Sequence, residues 1–276
     1  MKKSQLEVIA YMSMLIDHSA ASLLKIYMKS DMYTGYILGM KGELVYDILR
    51  GIGRVAFVVF AYYIAMGMVQ SRNKKRYLGR LAIFALVSEI PFDIAMFNAW
   101  FDRTHQNVGF TLLFGALAIY FIQRFENRKV VQIVLTIIIM VAAGICRTDY
   151  SFGGVFLIVV IYCLRDDYYK MVPISFIGFM ILLGINATIK NVLNAPPDYL
   201  TMELVVDKLM KNWEYYFTHE IYGIVAFVLI QLTSKERIRS NGLLRAVKYL
   251  FYPVHLLLIA VLEFVLLDIV PVLAKL

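Results

Sequence analysis

Long apolar stretches, each bounded by charge, recur along the chain near 6–27, 48–70, 78–99, 108–123, 130–146, 151–164, 171–189, 219–233 and 244–270. None of them alternates with the two-residue period of a half-buried strand. The hydrocarbon core of a bilayer is about 30 Å thick and takes about 20 helical residues to cross. Lipid cannot satisfy open backbone groups, so stretches of this length and composition are expected to be helices. The predicted fold is therefore all-α, a polytopic transmembrane helix bundle of about 9–10 transmembrane helices. It is expected to form a single integral-membrane domain over residues 1–276. The stretches near 151–164 and 219–233 are short, and 191–218 has room for an interfacial helix, so the count can move by one.

Composition removes two classes. With 61% hydrophobic and 17% charged residues the chain lies outside the range of water-soluble enzymes. Its 19 Tyr, 18 Phe and 2 Trp, set among aliphatic runs, exclude disorder.

Charge then sets orientation. With the N-terminus (Lys2, Lys3) inside, the cytoplasmic loops hold Arg72, Lys74, Lys75, Arg76 and Arg80, then Arg124, Arg128 and Lys129, then Arg165 and Lys170, then Lys235, Arg237, Arg239, Arg245 and Lys248. The opposite face carries chiefly Lys29, Lys41, Arg103, Arg147, Lys208, Lys211 and Lys275. This satisfies the positive-inside rule over several consecutive loops and predicts a multi-pass protein of the cell (cytoplasmic) membrane with a cytoplasmic N-terminus. The net charge of +8 is then a topology signal and an attraction to anionic membrane lipids. Nucleic acid is not an expected partner, because no basic groove with interleaved aromatics is visible. Residues 1–25 also have the outline of a cleaved signal peptide, but Asp17-His18 interrupts the apolar region and cleavage would invert the rest of the topology.

The candidate chemistry lies inside the spans. Asp17 and His18 fall midway along the first, Arg50 and Arg54 four apart on one face of the second, Glu89 and Asp93 with the same spacing in the third, and His255 near the middle of the last. Arg147 and Asp149 lie at the turn after 130–146, and His219-Glu220 begin the stretch near 219–233. Each charged group at mid-bilayer costs about 2.5–3.5 kcal/mol on insertion scales. Six of them facing lipid would cost on the order of 15–20 kcal/mol, more than a typical fold's whole stability, so they must face one another or a wet cavity. In the deduced topology they collect in the outer half of the membrane.

A purely structural reading pairs Arg50 and Arg54 with Glu89 and Asp93. His18 points further, since helix packing would be better served by Leu or Phe and an imidazole's ordinary pKa suits proton transfer. Asp17 is about 100° around the helix from His18, so a group on another helix is the better candidate to orient that ring. His255 follows Pro253, which reads first as a kink. His105 reads as a solvated loop residue beside Asp102 and Arg103. Gln106, Asn107 and Thr111, at the outer mouth of the next span, either hold a polar acceptor or cap the helix. The soluble-enzyme signatures G-x-S-x-G, P-loop, G-x-G-x-x-G after a strand and H-E-x-x-H are missing. No metal is expected, because Asp17, His18, Asp93 and His219 lack the local spacing that marks ligand sets.

Met14-Leu15-Ile16-Asp17-His18, Arg50-Gly51-Ile52-Gly53-Arg54-Val55-Ala56-Phe57, Ser88-Glu89-Ile90-Pro91-Phe92-Asp93, Gln106-Asn107-Val108-Gly109-Phe110-Thr111-Leu112-Leu113 and Tyr252-Pro253-Val254-His255-Leu256 occur in this order. Together they resemble the TraX family, named for the membrane protein of conjugative plasmids that N-acetylates pilin. Residues 125–215 add little to the likeness. The resemblance implies a membrane-bound acyltransferase that moves an acetyl group from cytoplasmic acetyl-CoA to an amine or hydroxyl at the extracytoplasmic side. It also implies a membrane-buried histidine, for which His18 is the candidate, with Arg50 and Arg54 looking loosely like the accompanying arginines.

In the mechanism consistent with both lines, Arg72, Lys74, Lys75, Arg76 and Arg80 attract the CoA phosphates and His18 acts as base or acyl carrier. Arg54 or Arg50 steadies the oxyanion, Asp17, Glu89 and Asp93 tune the site, and Gln106, Asn107, Thr111 and His255 meet the acceptor. The acceptor stays open among a glycan, a peptide N-terminus and a lipid headgroup, as does the oligomeric state. The rival class is a proton-coupled transporter using the same buried His/Arg/carboxylate cluster. Against it, no matched pair of Gly/Pro-broken segments suggests an inverted repeat. A membrane scaffold would need none of these side chains.

Overall fold

A computed structural model of the chain describes residues 1–31, 33–194, 201–234 and 242–273. Lys235, Arg237, Arg239 and Lys275, assigned above to loops, lie outside the described residues. The chain begins with α1 (Lys3–Ser19), which passes through a π-helical segment (Ala20–Leu24) into α2 (Lys25–Lys29). A two-residue hairpin follows, β1 (Tyr36–Ile37) paired antiparallel with β2 (Met40–Lys41). Next come α3 (Gly42–Gln70), α4 (Lys74–Phe97), α5 (Val108–Arg124), α6 (Lys129–Ile145), α7 (Ser151–Cys163), α8 (Tyr168–Leu193), α9 (Met202–Glu220), a 3-10 turn (Ile221–Gly223), α10 (Ile224–Gln231) and α11 (Gly242–Leu273).

This is an all-α membrane bundle. Among the described residues three helical stretches are long and apolar enough to cross a membrane: Gly42–Gln70, Tyr168–Leu193 and, within α11, Ala246–Leu266. Val108–Arg124, Lys129–Ile145 and Ser151–Cys163 are shorter and equally apolar. Every predicted stretch is helical. Two details differ from the apolar pattern. Residues 191–218 do contain a helix, α9, whose Glu203, Asp207, Lys208, Lys211 and Glu214 are too polar for a hydrophobic run. The stretch near 219–233 is broken by the 3-10 turn, which leaves α10 only 8 residues long.

Local chemistry sets several helix starts. Asn73 Oδ1 accepts from the Arg76 N–H at 2.9 Å at the head of α4. Asn107 Oδ1 accepts from the Gly109 N–H at the head of α5, Thr201 Oγ1 from Leu204 at α9, and Asp167 from Lys170 at α8. The Lys170 ammonium, hydrogen-bonded to Asp167 in the turn before α8, holds that carboxyl below the usual carboxylate range.

The helices divide between two compact units. The first comprises Met1–Val59, Leu86–Arg103 and Val225–Leu276, and the second Phe60–Ala85 and Thr104–Ile224. In the first unit α1 buries Leu6, Ala10, Ser13, Met14 and Asp17, a stripe at three- and four-residue spacing. Alongside it runs α11. Glu7 pairs with Lys248, His18 with His255 and Ser22 with Glu263. Both numbers rise together, so α1 and α11 run parallel, as a first and a ninth span must if every span between them crosses once.

In the second unit α7 packs on α5, α6 and α8, and α8 packs on α9. Ala118, Ile139, Ala143 and Val155 form a small-residue core against Phe114, Leu117 and Phe121. Glycines let backbones approach where hydrophobicity gives no drive for helices to associate in lipid: a Cβ on Gly115 would meet Ile158, and one on Gly178 would meet Phe156.

Candidate functional site

Asp17 and His18 are consecutive on α1, so their side chains diverge and each finds a different helix. Asp17 turns to α3. Arg50 Nη1 donates to its Oδ1 at 2.7 Å and to its backbone carbonyl at 3.3 Å. The π-helical turn begins three residues after Asp17, and the Ala20 N–H is shared between the carbonyls of Asp17 and Ile16. Such bulges inside α-helices are frequent at functional sites. On α3, Gly53 stands one turn beyond Arg50 and faces the Asp17 side chain, with no room for a Cβ.

That contact gives a paired prediction. Gly53→Val drives two methyl groups into the Asp17 carboxylate and destabilises the protein by about 1–3 kcal/mol. Gly79→Ala on α4, where nothing lies within 4 Å of the added carbon, stabilises by up to about 1 kcal/mol through helix propensity. Thermal unfolding of the two variants in detergent, moving in opposite directions from wild type, is the check.

His18 turns the other way, to α11. Its Nδ1 lies 2.7 Å from Nε2 of His255, and the ring planes are within 3°. A centroid separation of 5.0 Å at that nitrogen distance means rings edge to edge in nearly one plane, since stacking face to face would bring the centroids closer. His255 is buried, its Nδ1 lies 2.8 Å from the Phe251 carbonyl, and Tyr252 meets both imidazoles edge-on.

A carbonyl only accepts, so His255 Nδ1 carries a hydrogen. In the neutral ring its Nε2 then accepts from His18 Nδ1–H, and the basic nitrogen of His18 is Nε2. One turn further along, Ser22 Oγ donates to Glu263 Oε2 at 2.9 Å.

Arg54 occupies the turn after Arg50 and is half-buried. Glu89 and Asp93 are buried on α4. Asp93 closes the chain after the helix: its Oδ2 accepts from the Asp102 N–H at 2.9 Å and its carbonyl from the Ala99 N–H at 3.4 Å. The first unit thus contains Asp17, His18, Arg50, Arg54, Glu89, Asp93 and His255. The pairing of Arg50 differs from the one expected from spacing, because Gly53 lets Asp17 reach the guanidinium that Glu89 or Asp93 was expected to hold.

Gln106, Asn107 and Thr111 belong to the second unit. Asn107 is fully buried, with Oδ1 capping α5 and Nδ2 donating to the Ala85 carbonyl at 2.8 Å. Thr111 is buried too and accepts from the Tyr150 N–H at 3.4 Å, while the Gln106 N–H donates to the Arg147 carbonyl at 3.1 Å. Of the two roles open to Asn107, its amide fills the cap. His105 is a half-exposed loop residue that also has a partner: its Nε2 meets Asp149 Oδ1 at 3.0 Å, joining the loop before α5 to the α6–α7 turn.

Also in the second unit, Arg72, Lys75, Arg76 and Arg80 are exposed and Lys74 is half-exposed around the start of α4. None of these five forms an ion pair among the described residues. Cations at a helix N-terminus work against the helix dipole, so the stripe is an uncompensated positive field. The described residues contain no group of three or more His, Cys, Asp and Glu side chains able to hold a metal ion.

Sequence reasoning missed the His18–His255 contact, the Ser22–Glu263 bond and His105–Asp149. For the first two a signal existed: Lys248, Tyr252, His255 and Glu263 lie at three-, four- and eight-residue spacings, one polar face on an otherwise apolar helix.

A polytopic α-helical membrane protein that carries a histidine pair and a largely buried ion pair on its helices is the class that fold and site define. Within that class the chain belongs to the TraX family, matching the TraX protein over residues 2–263. It is similar, at 26% identity over 265 residues, to the probable fimbrial assembly protein FimC, serogroup H1, of Dichelobacter nodosus; the match covers 92% of this chain and 93% of that protein. No solved structure matches.

Proposed function

We propose that this protein is a membrane acyltransferase acting on the outer side of the cell membrane, with acetyl-CoA from the cytoplasm as donor and a pilin-like protein or other surface molecule as acceptor. Family membership and the fimbrial relative support a pilin-modifying membrane protein as the coarser reading. The observation that carries the chemistry is an imidazole and an Arg–carboxylate pair at consecutive positions of one membrane helix, the imidazole with a defined basic nitrogen.

In this reading the acceptor N–H or O–H gives its proton to His18 Nε2 as the acceptor atom attacks the thioester carbonyl carbon. The resulting oxyanion is met by a guanidinium, Arg54 or Arg50, in a site with little water. The C–S bond then breaks, the thiolate takes the proton back from His18, and acetylated acceptor and CoA leave. Glu89, Asp93 and Asp17 hold the cations in place. Arg72, Lys74, Lys75, Arg76 and Arg80 draw in the CoA phosphates from a cytoplasmic face that also holds the N-terminus.

Two measurements test this. Acetyl-CoA at about 100 times its Kd raises the apparent stability of the detergent-solubilised protein by about 2.7 kcal/mol, and no shift with acetyl-CoA counts against it as donor. The Arg72→Glu, Lys75→Glu, Arg76→Glu variant is expected to raise KM for acetyl-CoA at least about tenfold at low salt, with a smaller difference at high salt, because exposed charges are screened. An unchanged KM places donor entry elsewhere. Proton-coupled uptake in vesicles without any acyl donor would favour a transporter.

A further inference from the structure

We propose that His255 is a positioning residue: it fixes the tautomer of His18 and shares the proton that His18 receives, so that the two imidazoles work as one base presented through His18 Nε2. The inference rests on the reading of His18 as the acyl-transfer base, and extends it to a residue that would otherwise be taken as a neighbour of Pro253 or a contact for the acceptor.

The geometry carries the assignment. A histidine kept only for packing has no need of an edge-to-edge nitrogen contact. Here the 2.7 Å contact to His18 and the 2.8 Å contact to the Phe251 carbonyl occupy both ring nitrogens of His255. Because the carbonyl can only accept, it anchors the direction of both hydrogens: His255 Nδ1–H to Phe251, and His18 Nδ1–H to His255 Nε2. The arrangement serves the purpose a carboxylate serves in a serine-protease triad, holding one tautomer and one ring orientation. It does so with a neutral group, which puts no extra anion in the membrane.

A second consequence follows for the proton. When His18 Nε2 accepts a proton from the acceptor, His18 becomes an imidazolium with Nδ1–H aimed at His255 Nε2. Passing that Nδ1 proton across the short bond leaves His18 neutral with hydrogen on Nε2, and His255 charged with Nδ1–H still on the Phe251 carbonyl. Reversal restores the imidazolium of His18, which gives its Nε2 proton to the leaving thiolate. No atom is gained or lost.

The groups facing the pair leave it a place for that charge. Tyr252 on α11 packs edge-on against both rings, and Asp17 next to His18 is matched by Arg50 from α3. Glu263, held by Ser22, lies two turns further along α11, while Glu7 with Lys248 and Tyr11 beside Phe251 lie toward the other end. Arg54, Glu89 and Asp93 belong to the same unit, which also holds Lys25, Lys29, Glu43, Asp47 and Tyr249 among its ionisable groups.

The test combines histidine ¹⁵N spectra of the full chain in lipid nanodiscs with the pH dependence of turnover, for wild type, His255→Phe and His255→Gln. In wild type, His18 is expected to carry its hydrogen on Nδ1. Phe removes the acceptor, so His18 should distribute between both tautomers and turnover should fall about 100-fold. Gln places an amide oxygen near the position of Nε2. It should restore the Nδ1–H tautomer and recover about a tenth or more of turnover, but the pH–rate curve should lose the step belonging to the second imidazole.

A wild-type His18 protonated on Nε2, or a His255→Phe protein with tautomer and pH profile unchanged, overturns the proposal whatever the activity. If the tautomer results hold and no acyl donor is turned over by wild type, acyl transfer is the part that fails.

Discussion

Replacing His18 by Ala should abolish acetyl transfer, lowering turnover by about 10³–10⁴-fold while the protein still inserts and folds. The magnitude follows from what a positioned base contributes, about 10²–10⁴ in rate. His255 cannot substitute, since its Nδ1 hydrogen is committed to a carbonyl and its Nε2 faces the site through His18. Some stability is lost as well. His255 is only 4% exposed, and without His18 its acceptor nitrogen has lost its donor, at a cost of about 1–3 kcal/mol. His18→Gln, whose amide can still donate to that nitrogen, should therefore be more stable than His18→Ala and equally inactive. The combination of His18→Ala with His255→Phe should be little worse in turnover than His18→Ala alone, because two residues acting as one unit are not additive. Turnover at the wild-type level in purified His18→Ala protein would remove the central assignment. A protein that keeps its fold and also keeps its cellular role would instead support a scaffold.

Much of this architecture was legible because lipid leaves few alternatives. A run such as 130–146 in this chain has nowhere to be but a helix, and its charged neighbours Lys129 and Arg147 mark its ends. Break points were harder: the 3-10 turn at Ile221–Gly223 sits in a stretch whose hydropathy gives no warning. Candidate site residues were legible by their cost, since Asp17, His18, Arg50, Glu89, Asp93 and His255 are expensive in a membrane wherever they pair. The partner of Arg50 was not legible. Spacing suggested that Arg50 and Arg54 answer Glu89 and Asp93, since both pairs are four apart, yet whether two helices approach closely depends on a position such as Gly53, where a missing side chain decides which carboxylate comes within reach. His18 and His255 are separated by 237 positions, and only the parallel course of α1 and α11 puts them in one plane. Asn107 was ambiguous for a physical reason: the same amide that holds a substrate also caps a helix, and the cap is satisfied locally.

The second large effect is expected from splitting the Asp17–Arg50 pair. Their side chains are 12% and 23% exposed, so neither charge is fully hydrated when its partner is gone. Breaking a buried pair by removing one member costs about 3–5 kcal/mol, and partial exposure of Arg50 brings the expectation here to about 2–3 kcal/mol. Arg50→Met should be the worse of the two single changes. It removes the guanidinium from the less exposed of the two charges, and with it the donor to the Asp17 carbonyl beside the π-helical turn. Asp17→Asn keeps a hydrogen-bond acceptor for Arg50 and should lose less. In thermal unfolding the losses correspond to a lowering of about 4–12 °C. The double variant Asp17→Asn, Arg50→Gln replaces the ion pair by a neutral amide pair and should recover most of the stability, because the unbalanced charge at this contact is what makes each single change costly. Turnover then separates two roles. If Arg50 only braces α3 against α1, the double variant regains activity along with stability. If its guanidinium also steadies the oxyanion of acyl transfer, stability returns while turnover stays down by about 10²-fold or more, the cost of losing one such donor. Recovery of both would assign the oxyanion to Arg54, and a double variant no more stable than Arg50→Met would show that the two side chains do not depend on each other.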